Sequence, residues 1–465
     1  MRAAWRNLGI GWATVMLACA DSAGPPPRVA TVKIHPDSIV VHVDSTVVVS
    51  AEVLDENGRP VVGHAIGWLV FDTSAVRVSE GRLTGLRVGP AEVIAASESV
   101  LARAPIAVVV RLTALAMGSR GACAVSADNN AYCWGIRVGF PQRVLGLPPI
   151  RAAFAGLDHQ CALAITNVAF CWGFEALGDG GDTASATPVA VAGGLSFATL
   201  SLGWYHTCGL TNGTGAVYCW GPTAFGGTGT TQRVDAPRAI TLPAPAVSLA
   251  VGANQTCAVV QGGAAYCWGS NRYGELGSAV NENVCVDVCS TTPTRVDSVP
   301  PLMSVHAGYE HTCGLTADGI AYCWGVNYSG QLGAPGGSGC AFSRTRDTTL
   351  VCSEVPLAVS GGLRFTTIIA GEEDTCGLSS GGALYCWGGN YVGEFGNGDR
   401  GAGSATPVPA GGSLHFQSVT ASELGTCGMA AGVGYCWGSD WFNTLGNGDP
   451  RDQNSATPVR ILYQP

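Results

Sequence analysis

One stretch returns seven times in this chain, and its local geometry limits what the whole can become. Its clearest copy is Glu310-His311-Thr312-Cys313-Gly314-Leu315-Thr316-Ala317-Asp318-Gly319-Ile320-Ala321-Tyr322-Cys323-Trp324-Gly325. Residues 312–315 and 320–324 predict two short strands, and Thr-Ala-Asp-Gly between them is turn chemistry. Two cysteines then oppose each other across an antiparallel pair. Their α-carbons are expected about 4.5–5.5 Å apart, which suits a disulfide. The other copies pair Cys123 with Cys133, Cys161 with Cys171, Cys208 with Cys219, Cys257 with Cys267, Cys376 with Cys386 and Cys427 with Cys436. Two copies differ in spacing by one residue, but within the turn, so the cross-strand pairing survives. In every copy Trp-Gly follows the second cysteine: Trp134, Trp172, Trp220, Trp268, Trp324, Trp387 and Trp437.

The remaining cysteines divide the same way. Of 19, Cys19 stands apart, and the rest form an even set. Cys285, Cys289, Cys340 and Cys352 lie outside the hairpins and pair most simply as Cys285-Cys289 and Cys340-Cys352. A four-cysteine metal site across the two segments is the alternative. An even, patterned count points to an oxidising compartment, and the hairpin spacing lacks the C-x₂-C knuckle of zinc sites. Charged residues make up 12% of the chain, glycine is common at 66, and the net charge is −9. That composition favours short strands and tight turns. With no basic run, it argues against a nucleic-acid partner.

In chain order, residues 1–18 have the form of a signal peptide: Arg2 and Arg6, then an apolar run too short to span a bilayer. The run ends Met16-Leu17-Ala18-Cys19, which resembles a bacterial lipobox and implies lipidation of Cys19. Met16 stands where that motif usually has Leu, and ordinary cleavage nearby is the alternative. Residues 19–28 read as a tether. Residues 29–110 lack cysteine and show period-two alternation broken by turns, the pattern of a β-sandwich. Gly63-His64-Ala65-Ile66-Gly67-Trp68, Asp72-Thr73-Ser74-Ala75-Val76 and Gly81-Arg82-Leu83-Thr84-Gly85 resemble a group 2 bacterial immunoglobulin-like domain. Such domains are mostly spacers at the cell surface, and Trp68 is expected in the core.

Residues 111–465 hold the seven copies, about 51 residues each, within the range of propeller arrays. Each unit reads as four strands: one such as 197–203, the cysteine hairpin, and one such as 187–191. Four strands in each of seven units predict a seven-bladed β-propeller. His-Thr-Cys-Gly-Leu, Ala-Tyr-Cys-Trp-Gly and Asn327-Tyr328-Ser329-Gly330-Gln331-Leu332-Gly333 resemble the repeat of the regulator of chromosome condensation family, over about three quarters of the chain. The doubled cysteine is similar to its bacterial, exported branch. The eukaryotic regulator exchanges nucleotide on a small GTPase and touches chromatin through a basic tail. Here a signal peptide stands in place of that tail, so the resemblance implies the fold and not the activity. The last strand-like stretch, 457–462, either completes the seventh unit or latches onto the first.

Strand parity places the 1–2 loops and the 3–4 loops on one face of the disc. Two long insertions, 278–292 and 334–354, join that face and make it the expected partner-binding surface; decorative loops stapled by disulfides are the alternative. His159, His206 and His311 share one repeat position. They invite a ligand ring but more often bond a neighbouring blade. Glu372-Glu373-Asp374 reads as solvated charge, since a calcium site needs more oxygens at defined spacing. No Gly-x-Ser-x-Gly, His-Glu-x-x-His or phosphate loop is present. Catalytic residues, metal ligands and cofactors are therefore expected to be none. The expected function is non-enzymatic recognition of a protein or glycan by a monomer. It would be exported and held at the membrane only through its N-terminal lipid, or secreted. A polysaccharide-acting enzyme using the channel and a purely structural envelope protein are the alternatives.

Overall fold

The computed structural model describes residues 28–136, 138–278, 285, 288–335, 338–339, 351–449, 451 and 453–464. The expected signal peptide, Cys19, nearly all of the tether, Cys340 and most of both insertions lie outside the described residues. Among these, regular structure is strand apart from two single turns of 3-10 helix, Ala192–Gly194 and Ser360–Gly362. No described helix is long and apolar enough to cross a membrane.

The N-terminal block is built of three small sheets. Ile39–His42 runs parallel to Val100–Val109, which pairs with Gly89–Ser97 and through it with Gly67–Val70. Thr46–Val48, Arg82–Gly85 and Val76–Ser79 form the second sheet, and Thr31–His35 with Ser50–Leu54 the third. Alternate residues point inward, as period two dictates: Val41, Val76, Leu83, Val93 and Val108 are fully buried. Trp68 is partly buried against that cluster.

Seven antiparallel sheets follow among the described residues, each built from consecutive strands. Their first strands are Leu112–Met117, Ile150–Ala155, Phe197–Leu202, Ala246–Val251, Leu302–Ala307, Thr367–Ala370 and Phe416–Ala421. Each first strand touches the next, and Leu112–Met117 touches Phe416–Ala421, so the sheets close a circle. Ser455–Arg460 pairs with Val433–Gly438, which completes the seventh sheet. The seam between first and seventh sheets is joined by side chains and loops: Trp134 Nε1 donates to the Thr444 carbonyl at 2.8 Å, and Gly448 N to the Gly139 carbonyl at 2.9 Å. The N-terminal block packs here too. Val110 N donates to the Tyr463 carbonyl at 2.9 Å, and one apolar core runs from Val41 and Val108 to Met117, Trp134, Leu445 and Ile461.

Within each sheet the two hairpin cysteines are registered partners, as Cys313 with Cys323. Their α-carbons stand 4.0–4.1 Å apart. That is closer than the expected 4.5–5.5 Å, because the directly opposed pair is drawn in across a narrow position of the ladder. Cys285 and Cys289 pair with α-carbons 6.0 Å apart. Cys352 is also disulfide-bonded.

The Trp-Gly repeat explains why the units need each other. Trp220, Trp268, Trp324, Trp387 and Trp437 are fully buried. At about 25 cal/mol/Å² over an indole's area, each burial is worth roughly 4–6 kcal/mol. Each indole also donates Nε1–H to the loop of the preceding sheet: Trp324 to the Glu275 carbonyl, Trp387 to Gln331 and Trp437 to Glu394, at 2.8–2.9 Å. The loop is shaped for this. Asn327 Oδ1 accepts from Leu332 N at 3.0 Å, and Gly333 lies where a methyl group would come within 2.7 Å of Trp387 Nε1. The Asn-x-x-Gly-Gln-Leu-Gly motif is thus the socket for the next repeat's tryptophan.

Candidate functional site

His159 and His311 open the second strand of their sheets, His206 stands just before its own, and the three do not converge. Each faces the next sheet: His159 Nε2 lies 2.8 Å from Thr207 Oγ1, His206 Nε2 2.7 Å from Thr256 Oγ1, and His311 Nε2 2.8 Å from Thr375 Oγ1. The Thr256 and Thr375 hydroxyls donate onward to the Gly227 and Gln331 carbonyls, at 3.0 and 2.9 Å. Their protons are thereby used, so the proton in the His–Thr bond sits on Nε2 of His206 and His311. Nδ1 of His311 is buried without a partner, as a bare nitrogen in a neutral ring would be. Burial holds His206 and His311 down at about 3 and His159 at about 4. Gln255 fills the same position and donates to the Gly308 and His311 carbonyls at 3.1 and 3.3 Å. These side chains rivet sheet to sheet.

The ends of the first strands do converge. Each of the seven sheets sends a short segment to the mouth of the central channel: Gly118-Ser119, Gly156-Leu157, Gly203-Trp204, Gly252-Ala253, Gly308-Tyr309, Gly371-Glu372 and Ser422-Glu423. The glycines form a collar in which backbone abuts backbone. A methyl group on Gly156 would stand 2.8 Å from the Gly203 carbonyl oxygen, and one on Gly203, Gly252 or Gly308 would strike the next carbonyl. Above the collar, Trp204 and Tyr309 meet with ring centroids 4.3 Å apart. The space left at the mouth is about 90 Å³, below the roughly 150 Å³ cavity that admits a benzene ring.

Acidic side chains crowd the same face. Glu310 is pushed up to about 8, first by burial and then by Glu275 and other carboxylates, with Arg272 opposing. Glu372 is raised to about 7 by burial and by Glu423, Glu373 and Glu394. Asp374 is wholly buried and held well above the usual carboxylate range. The expectation of solvated charge at 372–374 is therefore corrected: neighbouring sheets cover this run. Glu373 accepts from Tyr328 Oη at 2.8 Å and Ser329 Oγ at 2.7 Å.

Beside the mouth, Trp204, Tyr205, Leu157, Trp441 and Phe442 wall a cleft of about 340 Å³, with Glu423 and Arg120 at its polar side. Arg120 is committed to Asp158 through two 2.9 Å hydrogen bonds, and its guanidinium lies 5.5 Å from the Phe442 ring centre. Glu423 Oε1 is buried with no hydrogen-bond partner. Trp441 is 63% exposed. Of these residues, sequence reasoning placed the 1–2 and 3–4 loops on one face but did not single out Trp204, Glu423 or Trp441. Aligning the repeats on their cysteines would have found Trp204 and Glu423, since Leu157, Trp204, Tyr309, Glu372 and Glu423 share one position. Among the described residues no group of three or more His, Cys, Asp or Glu is placed to hold a metal ion.

Comparison with known proteins gives the repeat a family. The model described as "Regulator of chromosome condensation (RCC1) repeat" matches residues 197–221, 246–275 and 304–331, and a second model of the same description matches 262–315. The ultraviolet-B receptor UVR8 of Arabidopsis thaliana is 28% identical over 48% of this chain and 48% of its own length. The human E3 ubiquitin-protein ligase HERC2 is 26% identical over 40% of this chain but 4% of its own. The chain thus spans half or less of these curated relatives. Among solved structures, yeast Prp20p superposes with a TM-score of 0.58 at 21% identity, over 67% of this chain and 80% of its own. Human WBSCR16 gives 0.57 at 18% identity, over 78% and 97%. By motif, by sheet order and by these likenesses, this all-β chain carries RCC1 repeats folded as an RCC1-like propeller.

Proposed function

We propose that the chain is a non-enzymatic recognition protein of the bacterial cell surface. A seven-bladed, disulfide-stapled propeller at 111–465 rides on an immunoglobulin-like module at 29–110, exported by residues 1–18 and held by lipid on Cys19. Its face carrying the 1–2 and 3–4 loops binds a protein or glycan. The observation that carries this is the aromatic and acidic mouth, set over a collar with room for less than a sugar ring. A mouth narrowed by the Trp204–Tyr309 contact offers a surface for contact, whereas an enzyme drawing polysaccharide through the ring needs passage. Yeast Prp20p, of similar fold, binds Gsp1p and histones, so a propeller of this fold serves protein contact elsewhere.

The test is capture of envelope components on the immobilised, oxidised, mature chain, beside Trp441→Ser and a variant with both insertions shortened. A component kept by the native chain and lost by either variant supports the reading. Capture of nothing by any of the three, with the fold intact, assigns the chain a structural role, capture unchanged in both variants moves the contact off this face, and shortening of polysaccharide on incubation makes it an enzyme.

A further inference from the structure

We propose that the cleft between Trp204 and Trp441 takes a lysine or arginine side chain from a protein partner; this rests on the recognition reading above. Aromatic faces attract a cation through the ring quadrupole, most strongly with a carboxylate beside them. Trp204, Tyr205 and Trp441 line this cleft together with Glu423. Glu423 Oε1 is buried with no hydrogen bond of its own, while the Ser119 and Trp204 side chains bond the same carboxyl group; a donor reaching Oε1 would meet a desolvated acceptor. The resident cation, Arg120, acts on Glu423 through its charge, but both of its 2.9 Å hydrogen bonds go to Asp158. Arg120 also shows the chemistry already at work in the same cleft: a guanidinium over Phe442 with its charge answered by a carboxylate. The wider mouth is negative. Glu372 lines it beside Glu423, and Glu310 follows Tyr309 in the same loop. Mutual repulsion there would be relieved by an incoming positive charge. A neutral glycan would stack on the tryptophans but leave that field unanswered.

The experiment titrates the mature chain with acetyl-(Gly-Lys)₃-amide, acetyl-(Gly-Arg)₃-amide, the neutral acetyl-(Gly-Gln)₃-amide and chitohexaose, followed by calorimetry and tryptophan fluorescence. Expected is binding of both cationic peptides at least tenfold tighter than the glutamine peptide. That preference should fall at least tenfold in Glu423→Gln, in Trp441→Ser, and on moving from 50 to 300 mM salt. Glu423→Gln is isosteric and Trp441 is exposed, so both variants keep the fold; a circular dichroism melt checks it. Equal binding of lysine and glutamine peptides, an unchanged affinity in Glu423→Gln, or binding of chitohexaose alone overturns the proposal. If no probe binds while the surface capture above still yields a partner, the cationic assignment fails and the recognition reading stands.

Discussion

Replacing His311 by glutamine isolates one buried imidazole and gives it a number. In the folded chain His311 is fully buried and its pKa is held at about 3 against an ordinary 6.5, by burial alone. The unfolded chain therefore takes a proton on this residue first. Stability from the neutral ring is complete above pH 6.5 and is lost as pH falls from 6.5 toward 3. Between pH 7.5 and 5.0 that loss is about 2 kcal/mol, and the full shift is worth about 5 kcal/mol below pH 3. Glutamine keeps an N–H donor for Thr375 without titrating, and Gln255 already occupies the equivalent place. His159 and His206 titrate alike in both proteins and cancel. Guanidinium unfolding followed by tryptophan fluorescence, with disulfides kept oxidised, should show the native chain losing about 2 kcal/mol more than His311→Gln between the two pH values. Equal losses would refute the buried, neutral ring.

Three further outcomes follow from the same structure. Gly252→Ala puts a methyl group into the Gly308 carbonyl and the Gln255 amide, and should lower the unfolding free energy by about 2–3 kcal/mol, read in the same denaturation. Replacing Cys376 and Cys386 together by serine opens a closed loop of about ten residues and should cost about 3 kcal/mol, measured against the oxidised chain. Glu310 is favoured in its neutral form by burial and neighbouring carboxylates, up to about 8. Its contribution is present below pH 4.5 and lost as pH rises through 8, so Glu310→Gln should be relatively more stable than the native chain at pH 8.5 than at pH 5, by thermal melts.

The parts legible in the sequence were those whose chemistry is local. Cys313 and Cys323 are ten residues apart, and the turn between them sets their register. The Asn327–Gly333 motif, likewise, folds around its own Asn327 side chain. The sheet circle followed because the unit repeats. The mouth was not legible in the same way, because its side chains come one per sheet and are adjacent only when the ring closes. Trp204 meets Tyr309 across more than a hundred residues of sequence. The fate of Glu372 and Asp374 depends on Glu394, which comes from a later loop of the same sheet, and that of Glu372 also on Glu423 from the next sheet. A run of acids read alone looks solvated, whereas the fold brings further acids against it.

Ring closure has a mechanical consequence. Among the described residues no strand is exchanged between the first and seventh sheets, and the seam holds through Trp134, the Gly448–Gly139 contact and the core shared with the N-terminal block. A pull on that block enters the disc through Val110 beside Tyr463, next to the seam. Tension borne along a ladder of strand hydrogen bonds would be shared among many bonds at once. Here the bonds are few and would be tested one after another, as a zip opens. A propeller tethered in this way would yield first at its own joint, leaving each cysteine-closed sheet whole.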